Sequence, residues 1–257
     1  MSTHTSTIAF FGATGDCAGY CLAAALEGGY HCSALARSPD KLVKSLEAKG
    51  INGNIIQKQL RIVEGDVKSV EAVKQALYQD GQLVEQIISG IGGTPTLQWS
   101  LLKPVTLTDP TICQDAGATI LEALKEIHSD RKPFLFNVST TGISSAGCPR
   151  NVPLLFYPMY HWLLAVPHAD KKVLEQNLSA HMNLPESERA LRGFVNIRPS
   201  MLVDGKGSGV ESVREGSDQS PAVGYTISRQ DVGKWMFERL VKGNAAKWTN
   251  GGVSITC

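Results

Sequence analysis

The chain has no long hydrophobic run. Its apolar stretches fall far short of the roughly 20 residues that cross a bilayer, so no membrane-spanning helix is expected. Neither sign of charge prevails: 25 Lys and Arg face 24 Asp and Glu, a formal net charge of +1. That balance removes the electrostatic reason to expect nucleic acid or a membrane surface as partner. Cysteine is sparse and scattered: Cys17, Cys21, Cys32, Cys113, Cys148 and Cys257 form no Cys-x-x-Cys pair. Cys17 and Cys21 fall on one helix face without partner ligands nearby. Buried thiols in a reducing cytosol are therefore expected, not a metal site or a disulfide framework. Repeats and low-complexity tracts are absent. The opening Met1-Ser-Thr-His-Thr-Ser6 lacks a signal-peptide pattern, and a cytoplasmic protein is the expectation.

What is present is the composition of a globular chain, 42% hydrophobic and 19% charged over 257 residues. That length suits a single α/β domain over 1–257. Its organising stretch is Thr7-Ile-Ala-Phe-Phe-Gly-Ala-Thr-Gly-Asp-Cys-Ala-Gly19. A short apolar run ends in Gly12-Ala13-Thr14-Gly15, and a helix-compatible segment over 16–27 follows, stopped by Gly28-Gly29. Strand, glycine turn and helix together present backbone N–H groups and the positive end of a helix dipole to a phosphate. Gly12 permits the sharp turn, and Gly15 lets the backbone approach a pyrophosphate. Ala18, where a third glycine often stands, is small enough for the helix to lie on its strand.

Downstream, a strand over 31–36 runs into Arg37-Ser38-Pro39-Asp40-Lys41. In a dinucleotide fold the end of the second strand meets the adenosine ribose. An acidic residue there suits the ribose hydroxyls, and an Arg suits a 2′-phosphate. Arg37, with Ser38 and Lys41, therefore favours NADP(H), although an Arg before a Ser-Pro helix start is also an ordinary solvated residue. A helix over 41–49 and a loop around Gly50, Gly53 and Asn54 precede a strand over 60–64. Asp66 and Val67 follow, Asp66 either meeting the adenine amino group or capping the helix over 70–78. A strand over 85–91 closes in Gly90-Ile91-Gly92-Gly93, where backbone can pass close to the cofactor. The irregular segment 93–110 carries Leu97, Trp99 and Leu101, which either wall a substrate pocket or pack on the body. A helix over 111–128 and a strand over 133–138 lead to Ser139-Thr140-Thr141, hydroxyls at the ligand end of a central strand. Either Ser139 or Thr140 is a candidate to orient a substrate carbonyl.

The spacing Gly-x-x-Gly-x-x-Ala, opening as Gly-Ala-Thr-Gly, resembles the atypical and extended short-chain dehydrogenase/reductase families, including the NmrA-like group. Lys171-Lys-Val-Leu-Glu175-Gln-Asn-Leu178 resembles their Lys-x-x-x-Glu-x-x-Leu run. Gly193-Phe-Val-Asn-Ile-Arg-Pro199 resembles the strand-Arg-Pro segment that closes the cofactor site, and Gly224-Tyr-Thr-Ile-Ser-Arg-Gln-Asp-Val-Gly233 resembles the opening of a late helix. The resemblance implies a doubly wound Rossmann fold: a mainly parallel sheet, helices on both faces, and substrate-side elements mainly at 143–170 and 200–257. It also implies Lys171 as the cofactor-holding lysine and Pro199 at the cofactor site. Its catalytic Tyr-x-x-x-Lys has no intact copy. Tyr157-Pro-Met-Tyr-His161 ends in His, and Pro167-His168-Ala-Asp-Lys171 begins with Pro. Tyr160, His161 and His168 are the candidate replacement proton donors, each weighed against a structural role.

Three further segments carry expectations. The charged run 183–192 reads as a surface excursion, 205–220 as a flexible lid or loop, and 247–255 as an added edge strand. The leading function is an NADPH-dependent reductase of a carbonyl, enone or imine in a small organic molecule. An isomerase, cyclase or dehydratase without net redox, and an NADP(H)-sensing regulator, stand as alternatives. The expected partner is a small-molecule substrate, and the expected assembly a monomer or homodimer.

Overall fold

The apolar run Ile8–Phe11 forms β1, every residue of it buried, and the glycine turn leads into α1, Asp16–Glu27. The computed structural model describes residues 7–79, 81–97, 99, 105–143 and 147–257, apart from the side chain of His161. Next come β2 (Cys32–Ala36), α2 (Pro39–Ala48), α3 (Gly53–Gln59), β3 (Leu60–Glu64) and α4 (Val70–Leu77). A small hairpin, β4 (Tyr78–Gln79) with β5 (Gln82–Leu83), precedes β6 (Gln86–Ser89). The hairpin β7 (Pro95–Leu97) and β8 (Val105–Leu107) leads to α5 (Ile112–Glu126) and β9 (Phe134–Val138). Then follow α6 (Tyr157–Trp162), α7 (Ala165–Met182), β10 (Gly193–Pro199), β11 (Met201–Val203) and β12 (Arg214–Ser217). β13 (Thr226–Ser228), α8 (Arg229–Trp235), a π-helical turn Met236–Val241 and β14 (Gly251–Thr256) complete the chain.

Eight strands make one sheet in the order β12-β14-β10-β9-β6-β1-β2-β3, parallel throughout except for β12. From β1 the chain winds outward through β2 and β3, then returns to β6 on the other side and winds outward again. This is the Rossmann fold, with its topological switch point between β1 and β6. One face of the sheet is covered by α1 and α8, sealed around Trp235, Leu22 and Leu26; the other by α4, α5 and α7, around Ile120, Leu174 and Leu178. Strands buried on both faces explain their unbroken apolar reading.

Several expectations are corrected. Where a loop was foreseen around Gly50, Gly53 and Asn54, α3 begins, because the Asn52 side chain caps it by accepting from the Asn54 N–H at 2.8 Å and Ile56 anchors it in the core. Segment 93–110 is not wholly irregular, since β7 and β8 pair antiparallel within it; Leu101 lies outside the described residues. The foreseen edge strand near the C-terminus is interior: β14 lies between β10 and β12. The edge is β12, within the stretch read as a lid. There the Glu215 carboxylate accepts from Trp235 Nε1 at 2.8 Å, and the Asp231 carboxylate holds the N–H groups of Ser208 and Gly209 at 2.8 and 3.0 Å. The cap of α4 is Ser69, while Asp66 closes the preceding turn by accepting from the Lys68 N–H. Among the described residues no helix is long and apolar enough to cross a membrane.

Candidate functional site

A cleft of about 600 Å³ opens at the carboxyl ends of β1, β2, β3 and β6. Its floor is backbone. Gly12 has φ +75°, and a Cβ there would lie 2.8 Å from the carbonyl of Gly90. Gly15 N-caps α1 without a side-chain hydrogen bond, which leaves the amides of the first turn facing the cleft mouth. Gly90 could not carry a Cβ either, since Ala18 Cβ would stand 2.6 Å away.

Of the residues expected to hold cofactor, Gly12, Thr14, Gly15, Arg37, Lys41, Asp66, Val67, Gly90, Ile91 and Gly92 line this one cleft. Ala13 lies buried beneath the turn. Ser38 caps α2, its hydroxyl accepting from the Lys41 N–H at 3.4 Å. Pro199 stands at the end of β10, where its carbonyl accepts from the Thr141 N–H and hydroxyl.

The cleft's charges divide into engaged and available ones. Lys68 Nζ lies 2.6 Å from Asp109 and 2.9 Å from Asp115, hydrogen bonds that raise its pKa and lower that of Asp109. Arg37 and Lys41 are exposed, and no ion pair among the described residues neutralises them. The cleft beside the carboxyl end of β2 therefore carries two cations without an ion pair among the described residues. Lys68 and Asp109 were missed in the sequence, where nothing local ties residues that far apart.

At the inner end stands Lys171, whose Nζ donates to the carbonyls of Val138 at 2.8 Å and Ile91 at 3.3 Å. Ile91 thus joins cleft and lysine. Asp170, buried, accepts from the N–H groups of Cys113 and Gln114 at 2.9 and 3.0 Å and so caps α5. Burial pushes the Cys113 thiol up to about 11, against the lowering effect of Lys171. Cys17, at the start of α1, is likewise pushed up to about 12, so both thiols stay protonated.

The three strand-end hydroxyls differ in setting. Ser139 is buried and donates to Glu175 at 2.5 Å, and Glu175 in turn takes a bidentate pair from Arg198 at 3.0 and 2.7 Å. Arg198 also pairs with Asp218. Thr141 is buried, its hydroxyl donating to the Pro199 carbonyl at 3.3 Å, while Thr140 is half-buried and donates to the Thr141 carbonyl at 3.1 Å. Tyr160 is buried with its ring 5.4 Å from that of His168; burial raises its hydroxyl pKa against a lowering hydrogen bond with Thr141. His168 is half-buried beside Gly142 and lies three residues before Lys171 on α7. That separation places both side chains on one helix face. The backbone of His161 lies in α6, and its side chain lies outside the described residues.

Comparison with known proteins matches residues 12–242 to a family described as NAD(P)H-binding. The reductase pytE of Aspergillus terreus is 44% identical over 266 residues, covering 100% of both chains. The oxidase pynE of Aspergillus niger is 37% identical, covering 98% of each. Among solved structures, a short-chain dehydrogenase/reductase from Veillonella parvula in complex with NADP superposes with TM-score 0.68 at 15% identity, covering 98% of this chain and 94% of that one. An anaerobillin reductase from Escherichia coli O157:H7 superposes with TM-score 0.65 at 17% identity, covering 97% and 96%.

Proposed function

This chain belongs to the NAD(P)H-binding family, and within it we infer an NADPH-dependent reductase of a carbonyl, enone or imine in a small organic molecule. One observation carries the reading: the Ile91 carbonyl is shared between the glycine-floored cleft and the Lys171 ammonium, with His168 on the same face of α7. The residues fit a dinucleotide. The turn Gly12 to Gly15 would hold the bridging phosphates, Arg37 and Lys41 a 2′-phosphate, and Asp66 the adenine amino group. Relatives named reductase and oxidase support redox chemistry.

When bound, the nicotinamide supplies the hydride. The chain's own groups do the rest. Thr140, less buried than the Glu175-held Ser139, hydrogen-bonds the acceptor by turning its hydroxyl from the Thr141 carbonyl, to which it donates at 3.1 Å. Lys171 holds the cofactor ribose and sets a positive charge near the oxygen or nitrogen that gains electron density. His168, whose Nε2 is buried, delivers the proton to that atom. Its place on the Lys171 face of α7 favours it over Tyr160, which lies on α6 with burial raising its hydroxyl pKa, while Pro167 stands four residues before Lys171.

The test is NADPH absorbance with purified protein and a carbonyl acceptor. Loss of absorbance in proportion to protein and acceptor is expected. Acceptor turnover at constant absorbance would replace this reading with an isomerase or dehydratase. Tight NADPH binding with no turnover of any acceptor would replace it with a sensing role.

A further inference from the structure

Most large apolar side chains left exposed among the described residues fall in two neighbouring segments. Leu154, Leu155, Tyr157 and Trp162 belong to one, Val223 and Tyr225 to the other. The segments touch: the Phe156 and Tyr225 rings meet edge to face at 5.1 Å. Tyr225 is firmly seated, its carbonyl accepting from the Met201 N–H at 3.2 Å, while the adjoining Gly224 lies so close to Thr256 that a Cβ there would stand 2.1 Å from its hydroxyl. The first segment follows the carboxyl end of β9, and the second pairs with Met201 just beyond the carboxyl end of β10, the side of the sheet where ligands bind.

Aromatic contact continues inward. Phe156 stacks on Tyr160 at 6.3 Å, and Tyr160 lies 5.4 Å from His168. A wall of rings thus runs from solvent to the imidazole assigned as proton donor. The wall also carries no formal charge: no Asp, Glu, Lys or Arg occurs over 151–167 or over 219–228. The bordering guanidinium groups are engaged: Arg214 donates to the carbonyls of Val223 at 3.2 Å and Cys257 at 3.5 Å, and Arg229 pairs with Asp204. An exposed apolar patch next to a polar site is a binding surface more often than an accident.

We propose that this wall binds the uncharged, apolar body of the substrate, an aromatic ring or an extended unsaturated chain, with the reducible group pointing inward to Thr140 and His168. The proposal rests on the reductase reading for the reacting end alone; the wall's preference stands on its own contacts. A carboxylate or phosphate on that body would lose its hydration against Leu155 and Tyr225, and the bordering Arg214 guanidinium is already taken up by backbone carbonyls.

The probes are benzylideneacetone, a neutral aryl enone, and its 4-carboxy counterpart, their binding to the NADPH-loaded protein followed by tryptophan fluorescence. Benzylideneacetone should bind and the carboxylate should bind at least about tenfold more weakly. Tyr225→Ala, at an exposed position, should weaken benzylideneacetone roughly tenfold, with melting temperature and NADPH affinity unchanged. Leu155→Ser should act in the same direction. Equal binding of both probes, or an unmoved affinity in Tyr225→Ala, would overturn the proposal. So would sedimentation showing a dimer that Tyr225→Ala converts to monomer, since a second copy would then cover the wall. Probe binding that persists in a protein indifferent to NADPH would sink the reductase reading and keep the wall.

Discussion

Gly12 combines two constraints, a positive φ and a close approach to backbone. Its φ of +75° is strained for any L side chain, and a Cβ would press on the Gly90 backbone, which has no side chain to move aside. Gly12→Ala should abolish NADPH binding by calorimetry, and a variant that still binds at wild-type affinity would contradict the backbone-floor account. Arg37 makes the opposite kind of contribution, an exposed charge with no ion pair among the described residues. Arg37→Ala should leave the melting temperature alone and weaken NADPH by roughly tenfold or more while sparing NADH, as loss of a charge-assisted pair requires. Equal losses for the two coenzymes would remove the 2′-phosphate assignment. His168→Gln should cut the reductive rate by on the order of a hundredfold and erase one limb of the wild-type pH–rate profile. A profile of unchanged shape would send the proton back to Tyr160 or solvent.

Helix α7 is the part of the scaffold on which most of the chemistry converges. Successive turns of one helix carry His168, Lys171 and Glu175, which meet Gly142, the Val138 carbonyl and the Ser139 hydroxyl in turn. The i, i+3 and i, i+4 spacing is what aligns these contacts along the end of β9. Asp170, between them, points to the other neighbour and caps α5 with two hydrogen bonds. Asp170→Ala should therefore cost about 1–2 kcal/mol of stability, the usual worth of a cap, read as a lower urea midpoint. Because α5 opens beside Ile91 and Ile112 at the cleft wall, NADPH affinity should fall as well. Glu175→Ala should be harsher, about 3–5 kcal/mol, since it strands the buried Arg198 guanidinium. A mild effect would mean that Asp218 alone can satisfy that arginine.

Across the assembled chain, ligand and fold are linked by mass action. NADPH at about a hundred times its dissociation constant adds about 2.7 kcal/mol and should raise the melting temperature by roughly 5 °C or more. NADH at the same concentration should raise it less. A melting temperature indifferent to both coenzymes would separate this chain from its family's cofactor.

Much of this architecture was legible beforehand because it is encoded locally. Ile8–Phe11, the Gly12-to-Gly15 turn and α1 follow from an apolar run, two glycines and a helical stretch adjoining in sequence. The same applies to Arg37 at the end of β2 and to Lys171 in its helix. Other features depend on residues far apart in the chain. Ser139 and Thr140 read alike as neighbouring hydroxyls, yet Glu175, 36 residues on, holds one of them and leaves the other half-exposed. Tyr160 and His168 were equal candidates until packing buried the first against Gly142 and left the second beside it. Likewise β14 took an interior place because β12 folds back antiparallel along it, a pairing that no local pattern announces. Backbone preference and periodicity act over a few residues, and they wrote the dinucleotide turn into the chain. Burial is a property of what packs on a residue, so which of these side chains are buried was decided when α7 came down on the ends of β6 and β9.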